Sequence, residues 1–207
     1  MAAVKVYVRS WQNAFMTQRA ITIRLADPRD AQAVALMSRD FIESGLGKKY
    51  DAPRVLKAIR DRETTAIVAC EGGKSAGHTA PPPGAGDARN GFAGFAIMEL
   101  GEERAHLVLL AVRPSHRRLG IGQRMLEWLL ESARVAGMAS VHLELRAGND
   151  AARRFYRAMG FYETVLVPGY YRGVEGGRKE GALRMLRVLR VPGPVPYTWR
   201  PPRTEDT

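Results

Sequence analysis

Arg117-Arg118-Leu119-Gly120-Ile121-Gly122 (RRLGIG) stands between a continuous apolar run, His106–Val112, and a long amphipathic segment, Gly120–Ala136. Two glycines let the backbone turn sharply and approach a ligand closely. In the segment that follows, Ile121, Met125 and Leu129 recur every four residues with Leu126, Leu130 and Ala133 beside them, which reads as a helix with one apolar face. The start of a helix offers unpaired N–H groups and a positive dipole end, a ready site for an anion. Arg117 and Arg118 add charge, so a pyrophosphate cradle is a reasonable reading. No Gly-Lys-Ser/Thr follows, so it is not a Walker loop. Met125 occupies the third position of a dinucleotide GxGxxG, so it is not that motif either.

Outward from this stretch, apolar runs alternate with helical patterns. His106–Val112 reads as a strand buried on both faces. Upstream come a strand at Ile21–Leu25, a helix capped by Asp27-Pro28 and running to about Arg39, and a second helix near Ala52–Arg62. Thr64–Cys70 and Phe92–Met98 read as two strands around residues 72–91, a long Gly/Pro/Ala-rich hairpin loop. Downstream, Ser140–Leu145 is a strand, Ala151–Met159 a helix ended by Gly160, and Phe161–Val167 and Ala182–Leu189 the last two strands, joined by a Gly-rich loop. Residues 20–190 therefore form one α/β domain around a mixed sheet, between a flexible extension at 1–19 and a proline-rich tail at 191–207.

A second block, Leu143–Phe161 (LELRAGNDAARRFYRAMGF), carries polar groups where an apolar core is expected. Strand alternation puts Glu144 on the face opposite Leu143 and Leu145, where it is either a solvated carboxylate or a base at a strand end. Asn149 and Tyr156 are two helical turns apart, so an amide and a phenol share one helix face. Cys70 is the only cysteine, which excludes an intrachain disulfide framework and a multi-cysteine zinc site. In its apolar strand it reads as core rather than nucleophile. His78, His106, His116 and His142 are scattered without ligand spacing, so no metal site is expected, and His106 and His142 read as packed or rim residues.

The formal charge is +11, from 32 basic and 21 acidic residues. That surplus suits nucleic acid, an acidic protein or a polyphosphate cofactor, and 26 of the 32 basic residues are arginine, as a coding bias alone would also give. Residues 113–157 hold nine arginines against four acids, which locates part of it beside the proposed cradle. No run reaches the roughly 18 apolar residues of a membrane span, and no signal peptide is read, so a reducing cytoplasm is expected and no membrane partner.

Taken together, Arg117–Gly122 and Asn149–Phe161 resemble the GNAT superfamily of acetyl-CoA-dependent N-acetyltransferases. The first is similar to that family's R/Q-x-x-G-x-G/A loop, the second to its N-x-x-A-x-x-x-Y-x-x-x-G-F block. Within the superfamily, the run Leu143–Phe161 and the following Tyr170-Tyr171 are similar to the ribosomal-protein alanine N-terminal acetyltransferase (RimI-type) branch. The insertion at 72–91, both terminal extensions and Glu180-Gly181-Ala182 at the last strand depart from it. The resemblance implies a mostly antiparallel sheet with flanking helices and a splayed central parallel strand pair. It implies acetyl-CoA paired with the backbone of Leu110, Ala111 and Val112, its pyrophosphate on Arg117, Arg118, Leu119, Gly120, Ile121, Gly122 and Gln123, and Asn149 across from it. Glu144 would be the base, Tyr156 the acid, and Tyr170 and Tyr171 would lie in a loop over the acceptor. The acceptor amine, a protein N-terminus first and a small amine such as an antibiotic, polyamine or amino acid second, would attack directly. A non-catalytic acyl-CoA-binding or nucleic-acid-binding module is the third reading; nucleic acid is not required, and a homodimer is compatible with all three.

Overall fold

A computed structural model describes residues 21–43, 50–72, 91–171 and 179–190. Seven strands form one sheet: β1 (Ile21–Leu25), β2 (Thr64–Glu71), β3 (Phe92–Leu100), β4 (Arg104–Val112), β5 (Ser140–Arg146), β6 (Tyr162–Tyr171) and β7 (Glu180–Val188). Their order is β1-β2-β3-β4-β5-β7-β6. Every neighbouring pair is antiparallel except β4 with β5, which is parallel. The helices among the described residues are α1 (Ala31–Phe41), α2 (Ala52–Arg60), α3 (Ile121–Val135) and α4 (Asp150–Ala158).

Local chemistry starts these helices. Asp27 accepts from the Arg29 N–H and Asp30 reaches back to the Asp27 N–H, a reciprocal cap around Pro28 that opens a short 3-10 turn before α1. Asp51 caps α2 by accepting from the Arg54 N–H. The apolar face of α3 buries Ile121, Met125, Leu126, Leu129, Leu130 and Ala133. That face, with Tyr156 of α4, forms one core against the sheet, while Val34, Met37 and Val55 of α1 and α2 form a second core on the other side.

Strand β4 is the exception to simple alternation. Its register with β3 runs Ile97 with Leu109 and then Met98 with Leu107, so Val108 is an extra residue in the ladder. Before this bulge Ala105 and Leu107 face the α3 side, and after it Leu109 and Ala111 face the α1–α2 side. Leu110 and Val112 thereby turn toward α3 and α4. The expected strand buried on both faces is instead one whose buried and half-buried residues alternate, because its second neighbour leaves it. β4 and β5 pair only over Arg104–His106 and Ser140–His142; beyond those residues they part. The hairpin of β2 and β3 forms as the flanking runs predicted, with Glu71 N–H on the Gly91 carbonyl. The interior of its loop, the extension at 1–19 and the tail at 191–207 lie outside the described residues.

Candidate active site in the fork between β4 and β5

One end of the fork is backbone. Gly120 has φ +72°, the left-handed conformation that the turn into α3 demands. The first intrahelical bond runs from the Arg124 N–H to the Gly120 carbonyl, so the N–H groups of Ile121, Gly122 and Gln123 point out of the helix end. A Cβ on Gly122 would stand 3.5 Å from Val112 Cγ2 and 3.6 Å from Phe155 Cζ, so this glycine lines a narrow gap between β4 and α4. Arg118 is also left-handed, at φ +66°, and exposed with Leu119. Arg117 donates to the Val112 carbonyl at 3.1 Å, and Gln123 donates to Glu127 at 2.9 Å. Ser115 and His116 fasten the start of the loop, with His116 Nε2 2.7 Å from Glu71 Oε1 at the end of β2. Outward N–H groups, a positive helix end and two exposed arginines make an anion cradle.

The edge of β4 that faces β5 runs on through Leu110, Ala111 and Val112 without a partner among the described strands, as an added extended group would need. Opposite, Asn149 caps α4: its Oδ1 accepts from the Ala152 N–H at 3.1 Å, and its NH₂ donates to no described residue. Arg153 and Arg157 of the same helix both pair with Glu163 of β6, so half of this charge is offset within the fold. Tyr156 is buried, edge-on to Phe155 and Phe161. Burial first, and Tyr171 second, push its phenol above the ordinary tyrosine range.

The other end of the fork is side chain. Glu144 Oε2 lies 2.8 Å from His106 Nε2, and Glu144 Oε1 accepts from Arg184 Nε at 2.8 Å. Glu144 and Arg184 are direct cross-strand partners on β5 and β7. The hydrogen bond from His106, with Arg184 behind it, holds the Glu144 carboxyl at about 2 against the burial that would raise it. The His142 ring stacks on His106 with centroids 4.5 Å apart and planes within 3°. Burial, then His106, lower the His142 pKa, and its Nδ1 is buried without a hydrogen bond. Tyr171 lies within electrostatic reach of both Tyr156 and Glu144, and burial first, then Tyr170, push its phenol up to about 12.

Two expectations change here. Tyr170 and Tyr171 are not in a loop: they are the last residues of β6, and Tyr171 pairs with Glu180 of β7. The strand continues past Val167 through a register shift, after which Tyr171 pairs again with β7. His106 and His142 are not merely packed or scattered either. The parallel pairing of β4 with β5 sets them side by side, two residues from Glu144. Donor atoms of His106, His142 and Glu144 lie within 4.8 Å of one another. Imidazole lone pairs lie in their ring planes, and two nearly parallel planes do not share a point, so the His106 and His142 lone pairs do not converge on one ion as they stand. Sequence reading missed these histidines and Arg184; the available signal was a polar residue inside each of two apolar strand runs.

The pattern of the Acetyltransferase (GNAT) family matches residues 31–161, and the chain belongs to that family. It is 37% identical over 97 residues to the [ribosomal protein bS18]-alanine N-acetyltransferase of Escherichia coli strain K12, a match covering 47% of this chain. The chain spans 65% of the length of that curated relative, less than two thirds. The crystal structure of the ribosomal-protein-S18-alanine N-acetyltransferase from Escherichia coli has the same fold: TM-score 0.64, 24% identity, 84% of this chain and 97% of that one. Ard1 from Thermoplasma volcanium superposes with TM-score 0.62 at 27% identity, over 82% of this chain and 97% of its own.

Proposed function

We propose that the chain is an acetyl-CoA-dependent N-acetyltransferase that moves acetyl directly to the α-amine of a protein N-terminus. The observation that carries this reading is the fork itself. An outward-facing helix end with Arg117 and Arg118 on one side, and on the other a carboxylate paired to His106 and Arg184 with the buried Tyr156 phenol on the neighbouring helix, flank the stretch of β4 that β5 leaves. The relative named for acetylating an N-terminal alanine of bS18 points to the same acceptor class.

The α3 amides with Arg117 and Arg118 would hold the pyrophosphate, Leu110 to Val112 the pantetheine arm, and Asn149 its far side. Bound acetyl-CoA supplies the thioester carbonyl that the amine attacks. The amine must first be neutral. An α-amine titrates near about 8 and lysine near about 10.4, so neutralising the α-amine at pH 7 costs about 3 kcal/mol less. Glu144 is the negative pole toward which the ammonium proton moves. The Tyr156 phenol, kept protonated by burial, gives its Oη proton to the departing sulfur. Tyr170 and Tyr171 border the acceptor side.

No helix among the described residues is long and apolar enough to cross a membrane. A reducing cytoplasm belongs to the proposal, supported by Cys70, the single cysteine, standing as a buried free thiol. The test is mass spectrometry of products from a panel of N-terminal peptides beside a panel of small amines. Acetylated peptide α-amines are the expected result. Acetylation of small amines alone would replace the acceptor, and no acetylation of any amine would leave an acyl-CoA-binding module.

A further inference from the structure

The carboxylate and the imidazole at the fork are unequally placed. The Glu144 side chain is 9% exposed, while that of His106 is 32% exposed. Of the pair, the imidazole is the group that an incoming amine or a bridging water reaches. An ionised carboxylate only accepts, so the hydrogen between them sits on His106 Nε2 and the lone pair is left on Nδ1. No hydrogen bond to that Nδ1 forms among the described residues. The ring cannot easily swing away, because His142 stacks flat against it. The groups around His106 are Glu99, its cross-strand partner on β3, His142 and Glu144 on β5, and Arg184 of β7 behind Glu144.

We infer that His106 Nδ1, and not the Glu144 carboxylate, receives the proton of the acceptor amine, with Glu144 fixing the tautomer and His142 the plane of the ring. This rests on reading the fork as the site of amine acetylation. In the step an ammonium N–H bond breaks, its electron pair stays on the amine nitrogen, and an Nδ1–H bond forms, directly or through one water. The resulting imidazolium stays balanced by Glu144. Between turnovers the proton leaves through the exposed third of the ring, and nothing is oxidised or reduced. Equilibria point the same way. Transfer from an α-ammonium titrating near about 8 to a carboxyl held at about 2 is unfavourable by a factor of about a million. His106 is then the proton acceptor, and Glu144 and His142 are positioning residues.

The experiment is a pH profile of kcat/KM from pH 5.5 to 9.5 for wild type, His106→Gln and Glu144→Gln. The acceptor is an alanine-starting peptide, or whichever panel amine the wild type acetylates, and coenzyme A affinity is measured alongside to show that each variant folds. His106→Gln keeps a donor for Glu144 but offers no base. It is expected to lose about 100-fold at pH 7, to lose the acidic limb, and to recover within a few-fold at pH 9.5, where the α-amine is neutral unaided. Glu144→Gln is expected to lose about tenfold and to keep an acidic limb, moved to lower pH because the imidazolium has lost its counter-charge. A His106→Gln rate within threefold of wild type, or an unaltered acidic limb, overturns the inference while leaving the acetyltransferase reading intact. Should no panel amine react, the tautomer decides the inference separately. Nitrogen NMR of His106 above pH 8 is expected to show hydrogen on Nε2 in wild type, and hydrogen on Nδ1 would overturn it.

Discussion

The two ends of the β4–β5 fork are built from different material. The cradle end is backbone: a left-handed Gly120, the outward N–H groups that open α3, and a gap at Gly122. The far end is side chain: Glu144, His106, His142 and Arg184 come from three strands, with Tyr156 on a helix. Backbone groups on one rigid turn present a fixed anion site whatever side chains decorate it. Side-chain groups must be held against one another, and the holding sets their acidity. Binding and chemistry should therefore fail separately, and substitutions can test that separation.

The largest effect is expected at the chemical end. Tyr156→Phe keeps the ring among Phe155 and Phe161 and removes only the hydroxyl that donates the proton. Turnover should fall by roughly 10² to 10⁴ with coenzyme A affinity unchanged, read by steady-state kinetics and calorimetry. Unchanged turnover would remove Tyr156 from the mechanism. At the cradle end the pattern should invert. An alanine Cβ at Gly122 makes ordinary contacts at 3.5 and 3.6 Å, but the added methyls of Gly122→Val would fill the gap between β4 and α4. Coenzyme A should bind about 30-fold more weakly, about 2 kcal/mol, while kcat at saturation changes by less than about threefold. A loss of kcat instead would show that the two ends are one unit.

The same contrast explains what could be read from the chain. The turn into α3 was legible because RRLGIG is contiguous and its geometry is set within a few residues. Gly120 at the turn and the buried stripe of α3 stand where spacing put them. The chemical end was legible only in Glu144 and Tyr156, through resemblance. His106 contacts Glu144 across 38 residues and Arg184 does so across 40, and nothing local reports such a pairing. The bulge at Val108 inverts the faces of β4, which alternation counted along the strand cannot foresee. β6 reaches Tyr171 through a register shift after Val167, which alternation along the strand does not foresee either.

The held carboxylate gives a smaller effect, on stability. The Glu144 carboxyl is at about 2 in the folded chain against an ordinary 4.5, so the folded state binds the proton more weakly than the unfolded one. A depressed pKa of this kind stabilises above about pH 4.5, and the contribution is lost as pH falls from there toward 2. Glu144→Gln should cost about 1–2 kcal/mol at pH 7, discounted from the full shift for the water that reaches the pair. Urea midpoints from pH 7 to pH 3 should show the gap constant down to about pH 5 and narrowing below it. A gap independent of pH would mean that the substituted glutamine is penalised for shape and not for charge.

The smallest effect belongs to one of the side chains beside that helix end. Arg118 is exposed and forms no ion pair with a described residue, so its charge acts on a bound anion through water. Arg118→Gln keeps the strained left-handed φ of +66°, since glutamine is no more at ease there than arginine, and removes only the charge. Coenzyme A affinity should fall about threefold at low ionic strength. The difference should close by about 0.5 M salt, where screening reaches within a few ångströms. A loss that persists in high salt would mean that the guanidinium makes a directed contact, and that the cradle depends on its side chains as the far end of the fork does.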